Sequence, residues 1–478
     1  MRHREPRSEE HYRGRENLGR NLSDIGVWYS SSVPDTGLSD ILLDQNPWWT
    51  EPAARRTPRD CVARRDIQRD LLRRLKREAR RACLVLGPRQ VGKTIALLQL
   101  ADDLLDEGLP PANLTYFDFS DDRLTAPVAA REVEEIRAVG FQADRPRVLL
   151  LDEIRLAPSW DRWLKQAVDE GAGRVVATDS AASLLRGGSR ESGQGRWDEL
   201  IIEGLNYAEF IRFHQFEGED DEAVLLRRPT LHEQYTSVGG FPEHFRAEDF
   251  AEVRRRLRAD IAERAILRDL LASGVEVQRV KDLFVYLVQD SGSVFKAEKR
   301  ARDLDPRADP RSVRAWLDLL EATLLVVPLE RFARSASARL RSAPRIYAAD
   351  HGLVNAFAVA PVREEQVRAK ALEAMVFRHL RELSRRQGHE VFYFREGDDL
   401  EIDFVVSTSA GLFAVEVTAN REVRPDKLAA LRRGRARLKP TRTSLIHRGV
   451  TTHSAEGIEI VPLASFLRDP GAAVGGGG

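Results

Sequence analysis

One stretch of eight residues, GPRQVGKT at positions 87–94, constrains the fold more than any other feature of the sequence. It fits the pattern G-x-x-x-x-G-K-[ST], follows the apolar stretch CLVL, and precedes a helical pattern from Lys93 through Leu105. A glycine-rich turn between a buried strand and a helix is the context in which this pattern binds phosphate. The sequence therefore predicts an α/β domain with a parallel sheet and a phosphate-binding loop.

The residues of this loop are the predicted nucleotide-binding residues. Its glycines allow backbone N–H groups to face the phosphates, helped by the N-terminus of the following helix. We expect Lys93 to neutralise the β- and γ-phosphates of ATP and Thr94 to give Mg²⁺ a hydroxyl ligand. A chance glycine-rich turn is the alternative, and the flanking elements argue against it. The full set is Gly87, Pro88, Arg89, Gln90, Val91, Gly92, Lys93 and Thr94.

Two acidic residues end the stretch VLLLDE at positions 148–153. In nucleotide-hydrolysing proteins of this layout an acid at this place helps to hold Mg²⁺, which makes Asp152 the candidate. Glu153 is then placed to polarise the attacking water, which favours hydrolysis over transfer to another acceptor. Alone, the pair would be better explained as two acids at a solvated strand end. The phosphate loop favours the catalytic interpretation.

Three further side chains are candidates for catalysis. Thr178 and Ser180 end the stretch RVVATDS, which we expect beside the strand of Asp152, and their hydroxyl groups can hydrogen-bond the attacking water. Arg196 precedes the stretch ELIIEGL and is a candidate for reaching the γ-phosphate of a neighbouring subunit, which predicts a homo-oligomer. An ordinary surface arginine is the alternative, because Arg is abundant throughout the chain.

Composition and patterning exclude several classes of protein. Lys and Arg together number 75, as do Asp and Glu, so no overall charge draws the chain to nucleic acid or an anionic membrane. Two cysteines, Cys61 and Cys83, provide neither a disulfide framework nor a zinc site. No stretch approaches about 18 unbroken apolar residues, and the charged N-terminus lacks the apolar core of a signal peptide. We therefore expect a cytoplasmic protein with no membrane partner.

The pattern along the chain predicts six segments. Residues 1–56 are polar and Arg-rich, so most should be disordered, with Trp48 and Trp49 anchoring the arm on a neighbouring domain or subunit. Residues 57–212 carry the alternating strands and helices of the nucleotide-binding domain. The others are a helical lid at 213–270, a winged helix at 271–358, an α/β domain at 359–468 and a flexible tail at 469–478.

The winged helix is predicted from three helical patterns followed by two apolar strands. In its third helix, Arg307, Arg311 and Arg314 are candidates for contacts with DNA. Winged helices also bind proteins, and the acidic residues near this helix favour that alternative. The sequence alone leaves both partners open.

Several motifs occur in a fixed order and together resemble a known family. They are GPRQVGKT, LLLDEI followed by PSWDRWLK, a T-x-S strand end, GR before a strand, YTSVGGFPE, RIYAADHGL, LEAMVFRHL, and IDFVV with VEVT. The set resembles the bacterial and archaeal AAA-superfamily ATPases with a C-terminal domain of unknown function, over about residues 41–450. The resemblance implies an ATP- and Mg²⁺-dependent P-loop ATPase core with a helical lid, a winged helix and a C-terminal α/β domain like a restriction endonuclease.

Two positions depart from the pattern of that family. Its members usually have Thr-Gly-Ser where this chain has Thr178-Asp179-Ser180, and often Gln where this chain has Arg155. Asp179 adds a carboxylate near the phosphates, which bears on the strength of hydrolysis.

The stretch DLEIDFVVSTSAGLFAVEVTAN has the pattern of a β-hairpin with Asp403 on one strand and Glu416 on the other. In nuclease cores of the PD-(D/E)xK type, two such acids hold Mg²⁺ and a Lys orients or activates water. Glu373 on the preceding helix is a candidate third metal ligand. Thr418 occupies the Lys position, and Lys427 on the next helix is a candidate replacement. The residues predict a candidate second metal site in a degenerate nuclease-like domain.

These observations together predict an oligomeric, Mg²⁺-dependent ATPase. Its nucleotide state would reposition the winged helix and the nuclease-like module, with DNA or a nucleic-acid-bound protein as the target. Two alternatives stay open: an ATP-gated DNA nuclease, and a nucleotide-dependent switch that binds proteins with little hydrolysis.

Overall fold

A computed structural model describes most of the chain. The described residues are 37–59, 61, 63–77, 81–140, 147–171, 173–180, 195–214, 230–266, 276–304, 309–358, 364–397, 400–423 and 425–474. Some predictions therefore lie outside the described residues: the disorder of residues 1–36, the DNA contact of Arg307, and the flexibility of residues 475–478.

A five-stranded parallel sheet forms the core of the first domain, with strands in the order β2-β3-β4-β1-β5. The inner strands are apolar and buried because helices cover both faces, as a parallel sheet requires. This arrangement confirms the predicted parallel-sheet core and puts β4 between β1 and β3. The strands are β1 (Ala82–Leu86), β2 (Leu114–Asp118), β3 (Val148–Asp152), β4 (Arg174–Asp179) and β5 (Trp197–Ile201).

Helices of this domain pack on both faces of the sheet. The described helices are α1 (Leu38–Gln45), α2 (Asp66–Leu75), α3 (Lys93–Asp106), α4 (Ala130–Gly140) and α5 (Trp160–Glu170).

The segment after α1 covers the outer edge of β2. Asn46 exchanges hydrogen bonds with the backbone of Tyr116, at 2.7 and 2.8 Å, and so substitutes for a neighbouring strand. Trp48 is completely buried, and its indole Nε1 donates to the Leu114 carbonyl at 3.3 Å. Because an uncovered edge strand invites pairing with other chains, this segment has a protective role. Both tryptophans thus contact strand β2 of the parallel sheet in the same chain.

Residues 207–214 and 230–266 add helices beside the sheet, in the region predicted as a lid. Beyond them, helices and a three-stranded antiparallel sheet in the order β6-β8-β7 occupy the segment predicted as a winged helix. The lid helices are α6 (Tyr207–His214), α7 (Thr230–Val238) and α8 (Phe250–Leu257), followed by a π-helical segment (Arg258–Ala265). The next elements are α9 (Val277–Gln289), β6 (Ser293–Val294), α10 (Ala297–Leu304), α11 (Pro310–Ala322), β7 (Val326–Leu329), α12 (Ala336–Leu340), β8 (Arg345–Ala348) and α13 (His351–Phe357).

The C-terminal domain is a six-stranded mixed sheet in the order β13-β14-β12-β11-β10-β9. Its middle strands β10 and β11 form the predicted hairpin, and β12 joins β11 in parallel after a helical crossover. Strand β9 was not predicted, because its charged ends and edge position weaken its apolar pattern. The elements are α14 (Glu364–Gln387), β9 (Glu390–Glu396), β10 (Leu400–Thr408), β11 (Gly411–Val417), α15 (Pro425–Leu438), β12 (Arg442–His447), β13 (His453–Ala455), β14 (Ile458–Pro462), α16 (Leu463–Arg468) and α17 (Pro470–Ala473).

The start of the predicted flexible tail is ordered. Pro470–Ala473 form the short helix α17, and both Ala473 and Val474 are buried in the hydrophobic core. The prediction was wrong here because two small apolar residues suffice to hold a short segment when a helix surface is available for packing. One continuous apolar cluster extends from the phosphate-loop helix α3 to these residues. Among the described residues, no helix combines the length and apolar character needed to cross a membrane.

Candidate functional site

The phosphate loop lies between β1 and α3, at the carboxyl end of the parallel sheet. Gly92 has φ of 89°, in the left-handed region that favours glycine, and α3 begins at the next residue. A Cβ atom on Gly87 would lie 2.3 Å from the Ile202 carbonyl oxygen. Both glycines are therefore required by the backbone path. Of the other predicted loop residues, Pro88 and Val91 are buried, Arg89 is half-buried, and Gln90 is exposed.

The ammonium group of Lys93 is directed back into the loop. Its Nζ donates hydrogen bonds to the carbonyl oxygens of Gly87 and Pro88, both at 3.0 Å. Burial lowers the pKa of Lys93, and the negative charges of Glu153, Asp152 and Asp179 oppose that effect. The Lys93 ammonium group is thus placed to exchange its two carbonyl partners for the oxygen atoms of a phosphate.

Asp152 ends β3 beside the start of α3 and is buried. Its carboxylate accepts hydrogen bonds from the hydroxyl groups of Thr178 and Tyr116, and Thr94 is also a hydrogen-bond partner. Burial raises the pKa of Asp152, and the charges of Asp118 and Glu153 raise it further. A carboxylate and a hydroxyl group are the hard oxygen donors that Mg²⁺ prefers, with further ligands from water and phosphate. The donor set formed by Thr94 and Asp152 therefore fits Mg²⁺.

Glu153 is held in an uncommon backbone conformation. Its φ of 51° lies in the left-handed region, which is strained for a residue with a side chain and recurs at functional sites. The backbone N–H of Glu153 donates to Thr178 Oγ1 at 3.1 Å. Thr178 therefore connects the two acids: its hydroxyl donates to Asp152 and accepts from Glu153. The hydroxyl of Thr178 therefore contacts the two acids directly, whereas the sequence predicted that it would hydrogen-bond the attacking water.

The end of β4 contributes Asp179 and Ser180, both buried. The backbone N–H of Ser180 donates to Asp179 Oδ1 at 2.6 Å. Asp179 also forms an ion pair with Arg155, 3.3 Å apart. The two residues that depart from the family pattern thus contact each other.

Arg196 lies far from the phosphate loop of its own chain. Its carbonyl accepts from the N–H of Ala82 at the start of β1, whereas the loop follows the end of β1. Five strand residues at about 3.3 Å each separate the two ends by about 17 Å. The Arg196 side chain is 32% exposed and pairs with Asp169 of α5 at 3.1 Å.

Arg65 lies near the loop, carries no sequence motif and was not predicted. Arg65 donates to the Val91 carbonyl at 3.0 Å and to the Gly204 carbonyl at 2.9 Å, and it forms an ion pair with Glu209. It joins the phosphate loop to the segment after β5. Nothing distinguishes Arg65 in an Arg-rich sequence.

A buried junction lies behind the phosphate loop. It is defined by Gly204, Leu205, Tyr235, Asp350 and Arg378. Arg378 is almost fully buried and donates to the Leu205 carbonyl and the Tyr235 hydroxyl at 2.7 Å each, and to the Gly204 carbonyl. Asp350 lies 4.0 Å from Arg378 and accepts from a backbone N–H of the double glycine in VGGFPEHF at 3.0 Å. Three of the motifs behind the family resemblance therefore meet here: VGGFPE, RIYAADHGL and LEAMVFRHL.

The double glycine also explains how this segment approaches the loop. A Cβ atom on Gly239 would lie 2.2 Å from an Asp350 carboxylate oxygen, so only glycine fits. Three residues further on, Pro242 lies next to the loop residue Gly92, with its Cγ 3.9 Å from where a Cβ of Gly92 would be. In the sequence, the two adjacent glycines are the feature that could have indicated this close approach to the loop.

A carboxylate cluster, formed by Glu373, Asp403 and Glu416, lies in the C-terminal domain. The backbone N–H of Asp403 donates to Glu416 Oε2 at 3.2 Å, so the hairpin brings these two acids together as predicted for its strands. Glu373 on α14 joins them through Arg345, which lies 3.4 Å from Glu373 and 3.7 Å from Asp403. Lys427 donates to Glu416 Oε1 at 2.6 Å.

Internal cations occupy the places where a metal ion was expected in the carboxylate cluster. Arg345 comes from β8 of the preceding sheet, is buried, and also pairs with Glu401. Within the described residues, no group of three or more His, Cys, Asp or Glu side chains is arranged to hold a metal ion. In this conformation Arg345 and Lys427 pair with these acids, and the second metal site at Glu373, Asp403 and Glu416 stays a prediction.

Burial perturbs the acids of the cluster strongly. It raises the pKa of Glu416 to about 8, with the charge of Asp403 adding to the effect and Lys427 opposing it. It raises the pKa of Glu373 to about 7, with Asp403 again adding and Arg345 opposing. The hydroxyl of Tyr347 from β8 donates to Glu373 at 2.5 Å. Thr418 lies beyond the end of β11, where its hydroxyl accepts from the Asn420 N–H at 3.3 Å.

The segment between β7 and β8 docks on the edge of the C-terminal sheet. The Tyr393 N–H of β9 donates to the Glu330 carbonyl at 3.0 Å, and the Phe332 N–H donates to the Tyr393 carbonyl at 2.6 Å. The wing of the predicted winged helix is thus engaged within the chain. On α11, Arg311 and Arg314 are exposed.

Family models match three consecutive parts of the chain. Residues 79–211 match an AAA domain. Residues 230–364 match a domain of unknown function, DUF8612, and residues 368–466 match another, DUF4143. An uncharacterized protein of Haemophilus influenzae is 24% identical over 340 residues, which cover 70% of this chain and 81% of that protein. An uncharacterized protein of Mycobacterium tuberculosis is 26% identical over 396 residues, or 80% of each chain.

The comparison with solved structures matches two further proteins at low similarity. The Walker-type ATPase PABY2304 of Pyrococcus abyssi has a TM-score of 0.41 and 12% identity, covering 64% of this chain and 99% of that one. The ORC1 protein of Aeropyrum pernix in complex with DNA has a TM-score of 0.27 and 13% identity, covering 66% and 96%.

The AAA-domain match includes the phosphate loop, both acids after β3 and Arg196. Together with the parallel sheet it supports an AAA-type P-loop ATPase core in this chain.

Proposed function

We propose that the protein is a Mg²⁺-dependent ATPase. The observation that carries the proposal is the convergence of Lys93, Thr94, Asp152 and Glu153 at one end of the parallel sheet, with Thr178 hydrogen-bonded to both acids. Thr94 and Asp152 would hold Mg²⁺, which supplies charge neutralisation on the phosphates. Lys93 turns from the loop carbonyls to the β- and γ-phosphates. Glu153 orients the attacking water and accepts its proton.

Steady-state ATP turnover tests this assignment. We expect Lys93→Ala and Glu153→Gln each to lower turnover at least about 100-fold, because they remove phosphate neutralisation and water activation. Lys299→Ala and Glu135→Gln are matched controls, since both side chains are exposed and lie away from the loop. If Glu153→Gln left turnover unchanged, a nucleotide-dependent protein switch with little hydrolysis would be the better function.

We further propose that the nucleotide state reaches the C-terminal domain through α14. This helix carries Glu373 of the carboxylate cluster and, five residues later, Arg378 of the buried junction, about 7.5 Å along the axis. Near its end, Arg385 pairs with Glu203 after β5 at 3.2 Å, and Arg386 pairs with Asp66 of α2 at 3.0 Å. A shift of the loop on ATP binding therefore has a direct packed route to the cluster.

Hydrogen exchange measures this coupling. We expect amide protection in α14 to differ between the ATP- and ADP-bound chain, with no difference in Lys93→Ala under the same conditions. Strand β12, which makes no hydrogen bond to the junction residues, is the internal control. Identical exchange of α14 in both nucleotide states would refute the route.

Nucleic acid, or a protein bound to it, is the partner we propose for the predicted winged helix. The exposed Arg311 and Arg314 on α11 support it, although Arg314 already lies 3.2 Å from Glu298. Anisotropy of labelled duplex and single-stranded DNA, with and without MgATP, measures binding. The double variant Arg311→Ala/Arg314→Ala should weaken it about equally for all sequences if these residues contact phosphates. Unaltered binding, or none by the wild type, would favour a protein partner.

An ATP-gated DNA nuclease is the second candidate function, favoured by one contact. Lys427 lies 2.6 Å from Glu416 and can replace the Lys that Thr418 lacks. Against it, Arg345 occupies the carboxylate cluster. Incubation of DNA with Mg²⁺ or Mn²⁺ and ATP, beside Glu416→Ala, decides the matter: cleavage that the variant loses would establish the nuclease, and no cleavage supports a degenerate module.

A further inference from the structure

A cavity of about 730 Å³ lies along the outer edge of β5, between α2 and the end of α14. Strand β5 is the last strand of the parallel sheet, and among the described residues β1 is the only strand that pairs with it. At the other end of the sheet, Asn46 covers the edge of β2 with hydrogen bonds. The sheet therefore has one covered edge and one edge that opens into a cavity.

The backbone of β5 offers hydrogen-bonding groups to this cavity. The Ile202 N–H bonds to a carbonyl of β1, and successive residues of a strand direct their groups to opposite sides. The N–H and C=O groups of Glu199 and Ile201 therefore point away from β1, and no described residue bonds to them. The next outward group, the Glu203 carbonyl, accepts from Arg65 of the cavity wall at 3.0 Å. This edge thus faces the cavity with its backbone groups available.

Exposed arginines line the side of the cavity that α2 forms. Arg69 and Arg73 lie one turn apart on this helix, and Arg77 follows two residues after its end. Arg69 and Arg73 pair only with acids of their own helix, at 3.4 Å each, and no described side chain pairs with Arg77. Such exposed pairs are weak, so a carboxylate from another molecule can replace them. The three arginines are therefore available to a negatively charged ligand.

The acids of the cavity do not balance its arginines. Asp66 contacts three of them at once: Arg212 at 2.8 Å, Arg386 at 3.0 Å and Arg69 at 3.4 Å. Burial acts to raise the pKa of Asp66, but the charges of Arg212 and Arg386 lower it to about 2. An acid shared by three arginines leaves positive charge over, which favours an anionic ligand.

Apolar side chains lie between the arginines and the strand edge. Ile67 and Leu200 are half-buried, line the cavity and pack against the hydrophobic core. Side chains alternate along a strand, and Asp198 pairs with Arg74 of α2, so the Glu199 carboxylate projects from the opposite face of the sheet. The cavity thus combines a strand edge, arginines on one face and apolar contacts. An extended peptide in which acidic and apolar residues alternate matches these features.

We propose that this cavity docks an extended acidic segment of a partner protein, which pairs with the outer edge of β5 as an additional strand. Its backbone would bond to Glu199 and Ile201, which gives affinity independent of sequence. Its carboxylates would bond to Arg69, Arg73 and Arg77 as charge-assisted pairs. A nucleic acid would contact the same arginines, but it has no backbone that pairs with a strand, and the free edge therefore favours a peptide.

Fluorescence anisotropy of the labelled peptide Val-Glu-Val-Glu-Val-Glu with the full chain tests the proposal. We expect saturable binding that Arg73→Glu/Arg77→Glu weakens at least about tenfold, because the carboxylates then meet like charges. Arg254→Glu/Arg255→Glu is the matched control, since it makes the same charge change at exposed positions of α8 outside the cavity, and it should bind within about twofold of the wild type. Thermal melting of both variants measures folding.

Two ester analogues of the peptide test the strand pairing without changing the protein. In one, ester oxygens replace the N–H groups of the valines, and in the other they replace those of the glutamates. Only every second N–H of a strand points to its neighbour, so we expect one analogue to lose at least about tenfold in affinity and the other to bind much more tightly. Equal binding of the two analogues would overturn the strand pairing.

A labelled single-stranded oligonucleotide of thymidines distinguishes the competing ligand. If it binds more tightly than the peptide and loses affinity in Arg73→Glu/Arg77→Glu, the arginines serve nucleic acid and the proposal is wrong. Absence of saturable peptide binding by the wild type would also overturn it. None of these outcomes depends on ATP hydrolysis, so the docking surface and the proposed ATPase function can fail separately.

Discussion

The phosphate end of the parallel sheet and the carboxylate cluster are both rich in acids, but they partner those acids differently. Asp152 is surrounded by hydroxyl groups, from Thr178 and Tyr116, and within the described part of the chain no cation pairs with it. Glu416, by contrast, pairs with Lys427 at 2.6 Å. Asp152 is thus left for a ligand to neutralise, whereas Glu416 pairs with a cation of the chain itself, as Asp179 does with Arg155.

This difference separates a ligand site from a structural contact that uses similar residues. A carboxylate held by hydroxyl groups keeps its charge available to a metal ion. A carboxylate paired with an internal cation offers a metal little gain, since the ion would first have to displace that cation. The carboxylate cluster therefore acts mainly as a joint between β8 and the C-terminal sheet, because Arg345 belongs to the first and Asp403 to the second.

The largest effect that we expect comes from removing the cation of that joint. Arg345→Ala leaves Glu373 and Asp403, which are only 22% and 14% exposed, without their buried cation, and breaking a buried ion pair costs about 3–5 kcal/mol. Urea unfolding of the full chain measures the free energy. Arg314→Ala, which removes an exposed pair with Glu298, should cost no more than about 1 kcal/mol and is the control. Equal effects of the two substitutions would contradict a structural joint.

The residues of the predicted phosphate site can be identified from sequence patterns because its parts are local. The loop residues are contiguous, each sheet acid follows its own apolar strand, and parallel strands bring their carboxyl ends to one edge. Thr178 was placed beside Asp152 for the same reason. The sequence did not show which side chains pair at this site, and in particular it does not reveal that Arg155 and Asp179 form an ion pair.

The joints between domains were not predictable, because they depend on residues far apart in the chain. Arg378 binds the Leu205 carbonyl 173 positions away, and a single buried Arg has no signature among so many. Arg345 carries no motif either, although it decides the state of the carboxylate cluster. Lys427 was identified as a candidate because the motif around Glu416 lacked its Lys. Long-range ion pairs emerge only when the fold brings their elements together.

A second test addresses the hydroxyl-lined acid. Asp152→Asn removes a proposed Mg²⁺ ligand, and because a bound metal contributes several kcal/mol of transition-state stabilisation, we expect turnover to fall at least about 100-fold. Titration of ATP turnover with Mg²⁺ measures the loss. Glu416→Gln is the matched carboxylate in the other region and should keep turnover within about twofold. A comparable loss in Glu416→Gln would mean that the cluster takes part in hydrolysis.

The pH dependence of stability should report the carboxylate cluster. The folded-state pKa values of Glu373 and Glu416, about 7 and about 8, lie above the ordinary 4.5, so the folded chain binds these protons more tightly. Their contribution is fully present below about pH 4.5 and is lost as pH rises through 7 and 8. One unit of pKa corresponds to about 1.4 kcal/mol, so we expect the unfolding free energy to fall by at least about 1 kcal/mol.

Glu416→Gln isolates this contribution, since it removes one of the two titrating groups. Unfolding free energies measured from pH 5 to 8.5 should fall less steeply in the variant than in the wild type. Parallel curves for the two proteins would show that Glu416 does not titrate in this range.

The smallest expected effect on stability is that of Arg196→Ala. Its pair with Asp169 is exposed, and such pairs are worth about 0–1 kcal/mol, so urea unfolding should barely change. If Arg196→Ala nevertheless lowers ATP turnover, the loss does not come from lower stability. It does not come from a contact with the loop of the same chain either, because about 17 Å of strand separates Arg196 from that loop.

If Arg196 serves a neighbouring subunit, Arg196→Ala and Glu153→Gln chains should each be inactive alone. Mixed, they should regain turnover, because some sites combine an intact Glu153 with a neighbour's intact Arg196. If the mixture hydrolysed ATP only at the mean rate of the two variants measured separately, an active site shared between subunits would be excluded.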